Sequence, residues 1–312
     1  MRMRAARIAV LLLAMGSAAV VLAQAPANQS GAAPANAEPA ADAGYTVTRD
    51  VTYTTGANGP LEADVYIPKG AGPFPGIVFI HGGGWMNGNR SQMVKLIEAL
   101  AADGYVGFTI EYDVDPVHFP ASFHESLAAV KYFRAHAGEF HLDAAHVAVA
   151  GSSAGGELAA LVALDPEGAP LGEAQKHHGH KDARDSEVQA ALILNGALDL
   201  TAGGSSDSVT AYLGGTCAAL ARACKDASPV AHVHADAPPF YVGHGTVDQS
   251  VPFAEAVAFT DALKAAQVPV KFFQAQDGKH TYWADPRFYA DNLAGMKAFL
   301  DEHLRGVESS GK

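Results

Sequence analysis

Three groups of residues have the types and spacing needed for covalent chemistry. The first is Gly151-Ser152-Ser153-Ala154-Gly155-Gly156, which follows the apolar run HVAVA at 146–150 and precedes a small-residue stretch of helical composition. A serine placed there sits on a sharp strand-to-helix turn, which leaves room only for glycine two positions to either side. The turn lifts the Ser153 hydroxyl clear of the sheet, next to a helix N-terminus that favours negative charge. These are the requirements of a nucleophile. A glycine turn that only lets helix and strand pack closely is the alternative reading.

The second group is His81-Gly82-Gly83-Gly84-Trp85, directly after the run GIVFI at 76–80. Three glycines leave backbone N–H groups bare to an approaching ligand. Aimed at the oxygen of a tetrahedral intermediate, such donors form an oxyanion hole, each worth about 3 kcal/mol in the transition state. Gly83 and Gly84 are the expected donors from this loop, joined by Ala154 after the nucleophile. His81 opens the loop and is expected to brace it rather than to act as a base.

The third group supplies the base and its partner. Asp248, in HGTVD at 244–248, and His280, in GKHT at 278–281, each follow an expected strand. His280 would take the Ser153 proton, while Asp248 fixes the ring's tautomer and stabilises the imidazolium. Asp199, one strand earlier, is the rival acid. Trp85, Tyr282 and Trp283 are candidates for the pocket wall, with packing as the alternative for each.

Regular alternation of strand and helix must position these groups. Stretches 45–55 and 61–67 predict an antiparallel start. Strands are then expected at 76–80, 105–112, 146–150, 188–194, 240–242 and 270–274. Helices are expected at 91–102, 123–137, 155–164, 252–266 and 288–304. Runs such as GIVFI, apolar throughout, belong to strands covered on both faces. The pattern implies a mostly parallel sheet of about eight strands with helices on both faces. Two long breaks, 165–187 and 201–238, interrupt the short connections such a sheet normally uses.

The chain ends and the composition bound the rest. Residues 1–23 carry Arg2, Arg4 and Arg7, then an uncharged apolar run and small residues before Gln24, the pattern of a cleaved export signal. The apolar run at 8–22 is shorter than the roughly 20 residues of a membrane span, so no stable membrane anchor is expected and the product is secreted or periplasmic. Residues 24–44, rich in Ala and Pro, read as a flexible tether, leaving 45–306 as one catalytic domain. The 312 residues are 49% apolar and 17% charged, with a formal charge of −12. That composition excludes a wholly disordered chain, and an acidic surface repels nucleic acid. Cys217 and Cys224, the only two cysteines, are expected to form a disulfide in an exported protein. His177, His178 and His180 cluster in the first long break, but the mixed charge around them reads as a solvated loop, and no metal is expected.

The motifs HGGGW at 81–85 and GSSAGG at 151–156, with acid and base following in the order Asp248, His280, resemble the α/β-hydrolase superfamily. Within it the chain is similar to the bacterial carboxylesterases of the hormone-sensitive-lipase-like and feruloyl-esterase-like (BD-FAE) groups, over roughly 51–304. Ser152 stands where many lipase-like members carry Asp, and the tether offers no helical cap, which favours the feruloyl- and acetylxylan-esterase-like group. The resemblance implies an α/β-hydrolase fold and a serine esterase that needs no cofactor. Its substrate would be a small-molecule or polysaccharide-linked ester, cleaved through an acyl-enzyme. An amidase, formamidase or peptidase on the same fold, or a binding protein that has lost catalysis, are the other readings.

Overall fold

The computed structural model describes residues 43–168, 185–202 and 206–307. The expected export signal, nearly all of the tether and the histidine cluster at 177–180 lie outside the described residues. Eight strands form one sheet: β1 (Tyr45–Gly56), β2 (Gly59–Pro68), β3 (Phe74–Ile80), β4 (Val106–Ile110), β5 (Leu142–Ser152), β6 (Ala190–Leu194), β7 (Phe240–Gly245) and β8 (Val270–Ala275). Their order is β1-β2-β4-β3-β5-β6-β7-β8. The pairs β1–β2 and β2–β4 are antiparallel and every later pair is parallel. This is the α/β-hydrolase arrangement.

Strand residues alternate between two cores, as the two-residue period demands. On one face Val78, Ile80, Val147, Val149, Ile193 and Val242 pack with residues of helices α2 (Ala121–Ala135), α3 (Ala154–Leu164) and α6 (Phe253–Ala265). On the other, Ile77, Phe79, Ala148, Leu192 and Tyr241 pack against α1 (Val94–Ala102) and α7 (Pro286–Arg305). Helix α3 is buried along its whole length. Its alanines and glycines are small enough to lie flat on the sheet, and this fixes the position of the turn that starts it.

Two further helices occupy the second long break, α4 (Asp207–Leu213) and α5 (Ala221–Asp226). Ser206 caps α4 by accepting a hydrogen bond from the Val209 N–H, and Gly214 closes it in the left-handed conformation, a common pair of end signals. Cys217 and Cys224 are joined as a disulfide across the start of α5, with Cα atoms 5.2 Å apart.

Candidate active site

The C-terminal ends of β3, β5, β6, β7 and β8 converge on one edge of the sheet, where ligands bind in open α/β folds. At the end of β5 the backbone turns sharply into α3 through Ser153, at φ 57° and ψ −122°. A side chain is rarely held at positive φ. The Ser153 N–H donates to the Leu194 carbonyl of β6 at 3.0 Å, tying the turn to the next strand. A Cβ on Gly155 would stand 2.2 Å from the Ile80 carbonyl oxygen, so only glycine lets α3 approach β3 this closely.

Ser153, His280 and Asp248 form one hydrogen-bonded chain. The Ser153 hydroxyl lies 2.9 Å from His280 Nε2, and His280 Nδ1 lies 2.7 Å from Asp248 Oδ2. Asp248 is fully buried, and its other oxygen accepts the N–H groups of Ser250 and Val251. His244, also fully buried, reaches Asp248 Oδ2 with Nε2 at 3.1 Å. Burial alone would raise the Asp248 pKa, but the hydrogen bonds from His244 and His280, with the charge of His280 and the Val251 N–H, hold it well below the usual carboxylate range. The rival Asp199 faces elsewhere: its carboxylate accepts the N–H and hydroxyl of Thr201.

The loop after β3 lies across from Ser153. Among the described residues, the N–H groups of Gly83, Gly84 and Ala154 donate no hydrogen bond within the protein. Gly83 has φ 127°, and a Cβ there would overlap the Asn87 carbonyl oxygen at 1.8 Å. The Gly82 N–H is held by Gln92 Oε1 at 2.6 Å. His81 braces the loop: its ring stacks on Tyr112 at 4.3 Å, and the Tyr112 hydroxyl donates to the His81 carbonyl.

The three aromatic candidates part company. Trp85 and Trp283 both line a cleft of about 550 Å³ together with Ser153 and His280. Each also spends its indole N–H internally, Trp85 on Glu157 Oε2 at 3.1 Å and Trp283 on Ser152 Oγ at 3.0 Å. Tyr282 does not line the cleft, contrary to expectation. Its ring stacks on Phe273, its hydroxyl donates to Asn292 of α7, and it is 1% exposed. The 3₁₀ turn at Tyr282–Ala284 separates successive side chains by about 120°, so when Trp283 reaches toward Ser152, Tyr282 turns into the core.

Several polar residues of the site carry no motif. Glu157 is completely buried on α3, between the Trp85 indole and the Tyr212 hydroxyl, whose ring stacks on Trp85 at 4.4 Å. Burial pushes its carboxyl well above the usual range, against the pull of the Trp85 and Tyr212 hydrogen bonds. A lone acid in an apolar helix was the one available signal. Asn195, just past β6 at φ 44°, comes within 3.3 Å of His280. An Asn following a fully apolar strand, between the strands that precede Ser153 and Asp248, pointed to the same place. The rest of the cleft's lining mixes polar residues, among them Ser206, Ser208, Asp199, Gln249 and Ser250, with Ala197, Leu200, Val209, Val251 and Pro252. Among the described residues, no three His, Cys, Asp or Glu side chains gather as a metal site.

A family model described as BD-FAE matches residues 63–263, more than half of the chain. Esterase LipC of Mycobacterium tuberculosis is 32% identical over 202 residues, which is 62% of this chain and 49% of LipC. The chain spans about half the length of the curated relatives it matches. Among solved structures, an esterase of Thermogutta terrifontis, Est2, is 26% identical with a TM-score of 0.70, covering 86% of this chain and 95% of Est2. A truncated carbohydrate esterase from gut microbiota has a TM-score of 0.73 at 22% identity, over 86% of this chain and all of that one, a likeness of fold.

Proposed function

The chain belongs to the BD-FAE family, and from that premise we propose that it is a serine esterase acting on carboxylic esters. The observation that carries the reading is the unbroken hydrogen-bonded chain Asp248–His280–Ser153 beside three unengaged backbone N–H groups. The esterase relatives support the same reaction type.

Ser153 attacks the ester carbonyl while His280 Nε2 takes its proton, and Asp248 stabilises the resulting imidazolium through Nδ1–H. The oxyanion forms against the N–H groups of Gly83, Gly84 and Ala154, with the N-terminus of α3 adding its partial positive charge. His280 then protonates the leaving alcohol. Water, deprotonated by the same ring, releases the acid from the acyl-enzyme. The steps use only groups of this chain and water. Polar side chains in the cleft lining, Ser206, Ser208, Gln249 and Ser250, suit a hydroxylated alcohol, as in a small-molecule or polysaccharide-linked ester. We place the reaction outside the cytoplasm, since residues 1–23 have the pattern of an export signal and a disulfide fits an oxidising compartment.

Replacing Ser153 by Ala should lower kcat for p-nitrophenyl acetate by about 10⁴–10⁶-fold with the fold intact, as loss of a triad nucleophile does elsewhere. Near-normal turnover in that variant would overturn the assignment. Acetylated xylan, methyl ferulate and matched anilides, assayed side by side, sort ester from amide preference and rank the alcohols.

A further inference from the structure

Behind the Ser153–His280 pair lies a second polar relay that the proposed reaction does not use. The Trp283 indole N–H donates to Ser152 Oγ at 3.0 Å. The Ser152 hydroxyl in turn lies 3.4 Å from Asn195 Oδ1. The Asn195 amide nitrogen lies 3.3 Å from His280 Nε2 and 3.5 Å from Nδ1. Ser152, Asn195 and Trp283 are 2%, 0% and 6% exposed, so these three side chains are largely shielded from solvent.

The relay sets the direction of the amide. An indole N–H can only donate, so Ser152 accepts from it and has its own proton left for Asn195 Oδ1. That leaves the Asn195 NH₂ turned to the imidazole. The near-equal distances put the amide nitrogen between the two ring nitrogens, out of line with the bonds to Asp248 and Ser153. From that position the N–H meets the face of the ring rather than the Nε2 lone pair, which lies in the ring plane towards Ser153. The electron-rich face of a neutral imidazole receives it favourably. An imidazolium has only donors and meets it unfavourably. Asp248 Oδ2, which His244 Nε2 also reaches at 3.1 Å, accepts from the ring at Nδ1. Ser153 is the remaining group within hydrogen-bond reach of the ring, and the neighbouring Lys279 is exposed.

We infer that Asn195 is a positioning residue, its amide aimed by the Trp283–Ser152 relay so that His280 is held as the proton-accepting form between Asp248 and Ser153. The inference rests on the esterase reading, and the two fail differently. Labelling of Ser153 by a fluorophosphonate in the wild-type protein tests that reading; without it both fall. With labelling intact, the pH dependence of kcat/KM tests the relay. N195D replaces the N–H with a carboxylate of the same shape, which stabilises the imidazolium. Its acid limb should move up by about one pH unit, a tenfold change in proton affinity. S152A keeps Asn195 but frees its amide, so the limb should move the same way by less, and by nothing further in an N195A background. N195A should lower kcat about tenfold while KM stays within about twofold, since no substrate contact is removed. Wild-type acid limbs in S152A and in folded N195D, with Ser153 still labelled, would overturn the inference.

Discussion

Glu157 shows how a single buried residue can hold a site it does not enter. Trp85 sits at φ 58°, a costly conformation for a bulky side chain that persists only when its surroundings over-determine it. The Glu157 carboxyl and the Tyr212 ring do so. A carboxyl with a raised pKa stabilises the fold while it is protonated, and this contribution is lost as pH rises through its folded value. E157Q keeps an acceptor for the indole without the titration, so its stability below about pH 4.5, where the carboxyl is protonated, should lie within about 1 kcal/mol of wild type. E157A strands the Trp85 N–H and opens a cavity, which should cost about 2–4 kcal/mol by urea denaturation. It should also lower kcat, because the adjoining Gly83–Gly84 backbone loses its brace. As pH rises above about 4.5, the ordinary value of the group, the wild type should lose stability relative to E157Q. Parallel curves for the two would show that Glu157 does not titrate in the fold.

At the scale of elements, the hydrophobic period and the glycines made most of the sheet legible. GIVFI, HVAVA and the apolar run 190–194 are strands because they are covered on both faces, and the two-core alternation follows. The helices α4 and α5 were not legible. They are short, and α4 is held by contacts far off in sequence, such as Tyr212 on Trp85 and the Phe119 N–H on the Tyr212 carbonyl. A second such junction joins the β1–β2 turn to α2. Asp113 accepts the Ala57 N–H and the Asn58 amide, and Glu125 of α2 accepts the Asp113 N–H at 2.8 Å. Burial pushes the Glu125 carboxyl up to about 7; the Asp113 N–H pulls it down, and the Asp113 charge and side chain raise it. Because the folded value is raised, its stabilisation is whole below about pH 4.5 and gone above about 7. E125Q should therefore show a smaller fall in Tm than wild type between those limits. Identical pH profiles of Tm would show that the junction does not hold a proton.

For the whole molecule, sheet order matters more than any one residue. Ser153, Asn195, Asp248 and His280 follow β5, β6, β7 and β8, four adjacent parallel strands, so residues up to 127 positions apart in sequence share one edge. The Cys217–Cys224 link fastens the segment that leads from α4 into α5. Export with cleavage of residues 1–23, as proposed, predicts an N-terminus at Gln24, and thiol titration before reduction should find none free. Reduction should lower stability by about 2 kcal/mol and Tm by about 4 °C, with kcat little changed. An intact Met1 terminus or two reactive thiols in the native protein would contradict an exported, oxidised form.

The sequence by itself determined the layered fold, the Ser153 turn, the glycine loop and the chain order of Ser153, Asp248 and His280. Those features depend on local sterics, which only glycine at 83 and 155 can satisfy, and on short-range periodicity. Only the tertiary structure decided that Asp248 rather than Asp199 meets His280, that Tyr282 packs in the core, and that Glu157 lies against Trp85 and Asn195 against His280. Each of those outcomes depends on which side chains meet across different strands and helices, and on how far water is excluded there. Neither is encoded by spacing along the chain.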